Sequence, residues 1–204
     1  LSKRASEILI KEIQKNPNIT ICFATGKTPL GMYRGLAKAY RSKKIDFAKV
    51  KSFNLDEYYP IKNKDKNSFH SYMIKNLFSK VNIKKANMNF LNGETKNPEK
   101  ECLDYEKRIK KDPIDIQILG VGINGHIGFN ESGSSFNSRT RVVKLSESTI
   151  KVNSKNFKPK SQMPKKALTM GISTIFRAKK IILLASGKDK EEAIKKLLKG
   201  PISE

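Results

Sequence analysis

Chemistry concentrates in one stretch of this 204-residue chain. It runs Gly120-Val121-Gly122-Ile123-Asn124-Gly125-His126-Ile127-Gly128-Phe129-Asn130-Glu131. His126 is one of only two histidines, and it stands between an amide, Asn124, and a carboxylate, Glu131. An imidazole whose neighbours can fix its tautomer is suited to moving protons near neutral pH. The glycines let the backbone turn sharply and approach a ligand closely. Taken alone, the histidine reads equally as a capping or core residue. A second group is Asn54-Leu55-Asp56-Glu57-Tyr58. Neighbouring side chains on a strand point to opposite faces, so at most one of the two acids enters a cleft. Asp56 is the candidate general base and Glu57 its support; the alternative is a pair of solvated turn carboxylates.

A third group is Ala24-Thr25-Gly26-Lys27-Thr28-Pro29-Leu30-Gly31. Thr28 suits an N-cap and Pro29 the first helical position. A strand, a Thr-Gly turn and a helix start together present free amide hydrogens and a positive dipole end, which bind anions. The spacing is not that of a P-loop, and a capped helix without a ligand is the plain alternative. Lys190 follows Ala185-Ser186-Gly187 at another helix start. A cation is unfavourable there unless an anion joins it. The run Ser134 to Arg141 holds two arginines that could grip phosphate or carboxylate, or it is simply solvated.

Strands and helices alternate to position these groups. Strands are expected at Ile19–Ala24, Val50–Leu55, Met88–Leu91, Ile114–Gly120, Arg141–Leu145, Ala167–Met170 and Ile181–Ala185. Helices are expected at Leu30–Tyr40, Ser68–Phe78, Glu99–Lys110 and Glu191–Leu198, with an amphipathic helix (Ala5, Ile8, Leu9, Ile13) at the start. The pattern predicts one α/β domain over residues 1–204, an open, mostly parallel twisted sheet with helices on both faces. In such sheets ligands bind at the carboxyl ends of the strands, where each candidate group falls. Residues 151–166 read as a polar, Lys/Pro/Ser-rich connection, an ordinary surface loop with a mobile lid as the alternative.

Composition narrows the classes. Forty-two Lys and Arg against 19 Asp and Glu give a net charge of +23. Such a balance attracts nucleic acid, anionic membrane or phosphorylated ligands, but the excess is dispersed lysine without aromatic interleaving, which argues against a nucleic-acid platform and is equally the picture of a lysine-biased proteome. No run of apolar residues is long enough for a membrane span, and no signal-peptide pattern opens the chain. Cys22 and Cys102 sit in unlike contexts, one in a strand and one in a helix, and read as unpaired thiols of a reducing, cytoplasmic environment. No Cys/His spacing suggests zinc.

In order and in content these segments resemble the glucosamine-6-phosphate deaminase family, over nearly the whole chain. Thr25-Gly26-Lys27-Thr28-Pro29 is similar to its Thr-Gly-(Gly/Ser)-Thr-Pro phosphate loop. Phe53-Asn54-Leu55-Asp56-Glu57-Tyr58 is similar to its Asn-Met-Asp-Glu-Tyr motif. Gly125 to Glu131, Ser138-Arg139-Thr140-Arg141 and Pro164 to Gly171 match its signature segments. The related 6-phosphogluconolactonases share the Gly-His but continue Thr-Ala-Ser-Leu-Phe-Pro, whereas this chain continues Ile127-Gly128-Phe129-Asn130-Glu131. The resemblance implies conversion of glucosamine 6-phosphate and water to fructose 6-phosphate and ammonia, a Rossmann-like fold, and no metal or organic cofactor. It implies His126 for ring opening, Asn124 and Glu131 to orient it, and Asp56 for the C2 proton. Thr25, Gly26, Lys27, Thr28, Lys190 and Lys155 would hold the phosphate.

Departures from the pattern carry their own expectations. Asn124 stands where many members have aspartate, and an amide orients His126 without stabilising its cation. Lys27 replaces a small residue. Lys155 matches a phosphate-binding arginine, and Val143 matches a lysine of the allosterically activated members. The family's first strand would lie before Leu1 and its last strand region after Glu204. Homo-oligomerisation stays open. A lactonase, or a sugar-phosphate-sensing domain of the same fold, is the alternative reading.

Overall fold

The computed structural model describes residues 1–202. The strands are β1 (Thr20–Phe23), β2 (Lys51–Asn54), β3 (Asp56–Tyr59), β4 (Met88–Asn89), β5 (Ile116–Gly120), β6 (Arg141–Lys144), β7 (Lys166–Thr169) and β8 (Lys180–Leu184). The helices are α1 (Ser2–Lys15), α2 (Leu30–Arg41), α3 (Phe69–Asn76), α4 (Pro98–Lys111), α5 (Glu147–Asn153), α6 (Ile172–Ile175) and α7 (Glu191–Lys199). Five strands form a parallel sheet in the order β4-β2-β1-β5-β8. Strand order reverses between β1 and β5, and a crevice opens at their carboxyl ends.

Alternation along each strand decides which face it feeds. Ile21 and Phe23 of β1 pack with Leu9 and Ile13 of α1, Met32 and Tyr33 of α2, and Met73 of α3. Cys22, between them, faces the opposite layer with Phe53, Leu119 and the α4 residues Cys102, Tyr105 and Ile109. Helices therefore cover both faces of the parallel sheet, as the sequence predicts. Both cysteines are buried and unpaired. No described helix is long and apolar enough to cross a membrane.

Two features depart from expectation. The first is a separate antiparallel sheet, β3-β7-β6. Leu55 makes the transfer between sheets. Its N–H bonds to the Phe23 carbonyl of the parallel sheet at 3.3 Å, while its own carbonyl accepts from Met170 N at 2.9 Å. The chain changes sheets without a turn, so nothing in the local sequence marks the break. The second departure is residues 151–166. They are not a bare connection but the end of α5 and two 3₁₀ turns, anchored by buried Phe157 and Met163 against Tyr58, Phe129 and Ala167.

Candidate active site

A cavity of about 1050 Å³ lies over the carboxyl ends of β1, β2, β5 and β8. Thr25, Gly26, Lys27 and Thr28 line it after β1, Asp56 after β2, Asn124 and His126 after β5, and Lys190 after β8. Four segments distant in sequence thus converge on one space.

The loop after β5 folds back on itself through Gly122 N to the His126 carbonyl at 2.8 Å, with Gly125 at a φ of +91°. The imidazole lies against Gly122, where a Cβ would sit 2.6 Å from Nε2. Only glycine admits the ring there. Glu131 fixes the ring's chemistry from behind. Its Oε1 accepts from Ser146 Oγ at 2.8 Å and Thr149 Oγ1 at 2.9 Å, and its Oε2 accepts from Asn124 Nδ2 at 2.8 Å. Burial pushes the Glu131 carboxyl up, but these donors and the nearby His126 outweigh it and hold the group below the usual glutamate range. Glu131 is therefore an acceptor only, and it orients the amide of Asn124 with nitrogen towards itself. Asn124 Oδ1 then faces His126 Nδ1 at 2.5 Å. Nδ1 must carry the hydrogen, which leaves Nε2 as the free base.

Burial lowers the His126 pKa below its usual value, Glu131 opposes this, and Lys190 adds to it. Glu131, with Oε2 at 3.4 Å from Nδ1, supplies the negative charge that Asn124 lacks when the ring is protonated.

Asp56 sits at the seam of the two sheets and is 7 % exposed. Burial first, and then the charge of Glu57, push its carboxyl up to about 8. Glu57 projects away from the cavity, as strand alternation requires. It accepts from the backbone N–H groups of Tyr58, Phe69 and His70 at 2.9, 2.9 and 2.8 Å. The last two belong to the first turn of α3, which Glu57 therefore caps along with Ser68. Burial raises the Glu57 carboxyl to about 7 against the pull of these three donors. The donors favour the charged form of Glu57, so Asp56 is the member of the pair that retains a proton longest.

After β1, α2 begins at Leu30 as expected, but its cap falls one residue beyond Thr28. Pro29 occupies the N-cap position of α2, and no side chain caps it, Thr28 included. The first-turn amide hydrogens lack an intrahelical partner, and the loop preceding them lines the cavity. Lys190 reaches the same cavity with its ammonium 3.7 Å from Asp189. Lys155 does not. It lies exposed in the Ser154–Asn156 turn, outside the cavity lining to which its neighbours Asn153, Asn156 and Phe157 contribute. Arg141 is also elsewhere, bonded to Asn130 Oδ1 at 2.8 Å and Ser134 Oγ at 3.3 Å.

Comparison with known proteins decides the family. The sequence profile of the glucosamine-6-phosphate isomerases/6-phosphogluconolactonase family matches residues 1–204. The chain belongs to this family. A glucosamine-6-phosphate deaminase of Clostridium novyi (strain NT) is 51% identical over 203 residues, covering 99% of this chain and 84% of that protein. Another, of Thermoanaerobacter sp. (strain X514), is 49% identical over 204 residues, covering 100% of this chain and 81% of that protein. A solved structure described as a monomeric glucosamine-6-phosphate deaminase matches with a TM-score of 0.96 at 44% identity, over 99% of this chain and 84% of that one. The 6-phosphogluconolactonase of Thermotoga maritima matches at TM-score 0.72 and 22% identity, over 96% of this chain and 86% of that one. That likeness concerns the fold alone.

For this member of the isomerase/lactonase family, several cavity residues escape a reading of the sequence. Tyr72 of α3 donates its hydroxyl to the Gly26 carbonyl and so ties α3 to the loop after β1. Lys66 and Lys75, before and on α3, line the cavity. Ser148, Thr149, Val152 and Asn153 of α5 close it on another side. The amphipathic periodicity of α3 marks its buried face and carries no signal about which polar residues meet a ligand.

Proposed function

We propose that this chain, as one catalytic domain, deaminates glucosamine 6-phosphate, yielding fructose 6-phosphate and ammonia. The observation that carries the reading is the hydrogen-bonded chain Glu131–Asn124–His126, which leaves Nε2 as a free base in a cavity that also holds a buried, weakly acidic Asp56. Two proton-transfer groups of different strength, with an anion-binding loop beside them, are what an isomerising deaminase requires. The relatives at about half identity carry that activity in their names.

The steps follow from the groups. The phosphate rests on the loop from Thr25 to Thr28 and on Lys190, and this remote binding orients the sugar. His126 Nε2 takes the proton of the C1 hydroxyl as the C1–O5 bond breaks, and returns it to O5. The product is the open-chain aldehyde. Asp56, ionised, then takes the C2 proton. The C–H electron pair becomes the C1–C2 double bond, and the carbonyl oxygen takes a proton from the substrate's C2 ammonium, giving the enol-amine. Asp56 delivers its proton to C1, which leaves an iminium at C2. Water adds to C2 and passes one proton to the nitrogen; ammonia then leaves with the second water proton as ammonium, and the ketose remains. A carboxyl with a pKa near 8 is a better base towards carbon than an ordinary aspartate.

Release of ammonia from glucosamine 6-phosphate tests the reading. An enzyme that released none and instead hydrolysed 6-phosphogluconolactone would overturn it in favour of the lactonase. The reading places the enzyme in the cytoplasm with a small sugar phosphate as its partner.

A further inference from the structure

Among the described residues Asp56 is the only acidic one lining the cavity, against four lysines: Lys27, Lys66, Lys75 and Lys190. Two of these, Lys27 and Lys190, are accounted for by the loop after β1 and the helix start after β8. Lys75 belongs to neither. It is carried by α3 one turn beyond Tyr72, and residues three apart share a helix face. Tyr72 holds that face to the loop after β1 through its bond to the Gly26 carbonyl. Lys75 therefore lines the same cavity as the anion loop, on the helix that Tyr72 ties to that loop. Among the described residues Lys75 has no salt-bridge partner, while Lys190 is shared with Asp189. The second cation expected of a phosphate site, Lys155, lies outside the cavity lining.

We propose that Lys75 is a ligand of the substrate's phosphate, supplying from α3 the cation that Lys155 does not supply from the 154–156 turn. The inference rests on the sugar-phosphate reading above and adds a residue to it. An exposed lysine adds a point charge, and the amide hydrogens of the loop add direction. Lys75 contributes to binding in the ground state and the transition state alike, so it acts on KM and not on kcat.

The experiment compares Lys75→Gln and Lys75→Arg with Lys80→Gln. Lys80 is exposed at the end of the following 3₁₀ turn and does not line the cavity, so it controls for the loss of one positive charge. For Lys75→Gln, the KM for glucosamine 6-phosphate rises on the order of five- to ten-fold, since a charge-assisted contact at an exposed side chain is worth less than a buried one. The inhibition constant of inorganic phosphate rises in parallel, and kcat stays within about two-fold. Lys75→Arg recovers most of the loss, and Lys80→Gln behaves as the parent. A Lys75→Gln enzyme with the same KM and phosphate inhibition as Lys80→Gln would overturn the inference and leave the deaminase reading intact. Failure of the reading itself shows separately, as no ammonia release by the unmodified chain. Direct calorimetric titration of inorganic phosphate still tells Lys75→Gln from the parent in that case.

Discussion

The buried carboxyl of Asp56 has a consequence for stability that can be measured apart from catalysis. Consider Asp56→Asn, which keeps the shape of the side chain and removes its ability to ionise. In the folded chain the Asp56 carboxyl is raised from its ordinary 3.8 to about 8, chiefly by burial. A carboxyl raised on folding stabilises the folded state below its unfolded pKa. That stability is lost as pH rises through the interval up to the folded value. Each unit of pH inside the interval removes about 1.4 kcal/mol from the parent. By pH 7 the parent has lost on the order of 4 kcal/mol, and by pH 5 less than about 2 kcal/mol. The variant has no such loss, and Glu57 is common to both proteins. Asp56→Asn should therefore exceed the parent in stability by a margin that grows by about 3 kcal/mol from pH 5 to pH 7. For a chain of this size that is a shift of roughly 6–12 °C in melting temperature. Urea unfolding of both proteins at several pH values gives the margin, and deuterium uptake at substrate C2 gives the chemistry. Uptake should fall by about a thousand-fold or more, because the base acts only in the transition state. Parallel stability curves across this pH range would refute the idea that the fold holds Asp56 against its ionisation.

Other expectations follow from the same geometry. Gly122→Ala should displace the His126 ring, lowering kcat about a hundred-fold with little change in phosphate inhibition; an unchanged kcat would show that the ring's seat against the backbone is dispensable. Glu57→Gln removes the charge beside Asp56 and sets an amide against the His70 N–H. It should cost about 1–3 kcal/mol in stability and move the acidic limb of kcat/KM to lower pH, and a limb that stays in place would disconnect the two acids. Val143 packs with the Tyr58 and Phe129 cluster and Val142 with the opposite layer, so Lys144, which shares the face of Val142, cannot take the place of a lysine at 143. Kinetics should accordingly be hyperbolic and unresponsive to N-acetylglucosamine 6-phosphate, and sigmoidal kinetics relieved by that compound would defeat the expectation.

Much of this architecture is written in local patterns. Every expected strand of the parallel sheet forms within a residue or two, because short apolar runs between turn residues mark buried strands independently of their partners. The short apolar run at 167–170 is equally plain as a strand, but its sheet is not. Sheet membership depends on the seam at Leu55, where two carbonyl–amide pairs with distant residues decide the matter. The site divides in the same way. His126, Asn124 and Glu131 lie within one turn-rich segment and are legible together. The second role of Glu57, capping α3 across twelve residues, depends on where that helix comes to rest. So do the approach of Tyr72 to the loop after β1 and the arrival of Lys75 at the cavity wall. Lys155 shows the reverse: a pattern match that the local turn points elsewhere. Thr28 matches the composition of an N-cap, yet Pro29 holds the cap position.

Thr169 and Met170 serve as a common mount. Asp56 is paired with Thr169 across β3 and β7. The segment after His126 is pinned to the same place, by Phe129 N to Thr169 Oγ1 at 3.2 Å and Asn130 Nδ2 to the Met170 carbonyl at 2.8 Å. The acid and the imidazole are thus fastened to one beam, while the anchor for the phosphate hangs from the parallel sheet. Lengthening or recasting the loop after β1 would change how far the phosphate lies from the chemistry without altering the spacing between the two proton-handling groups. A shift of the beam itself would carry both groups together. Variation in substrate length can in this way be accommodated on one side of the cavity while the chemical step on the other is left alone.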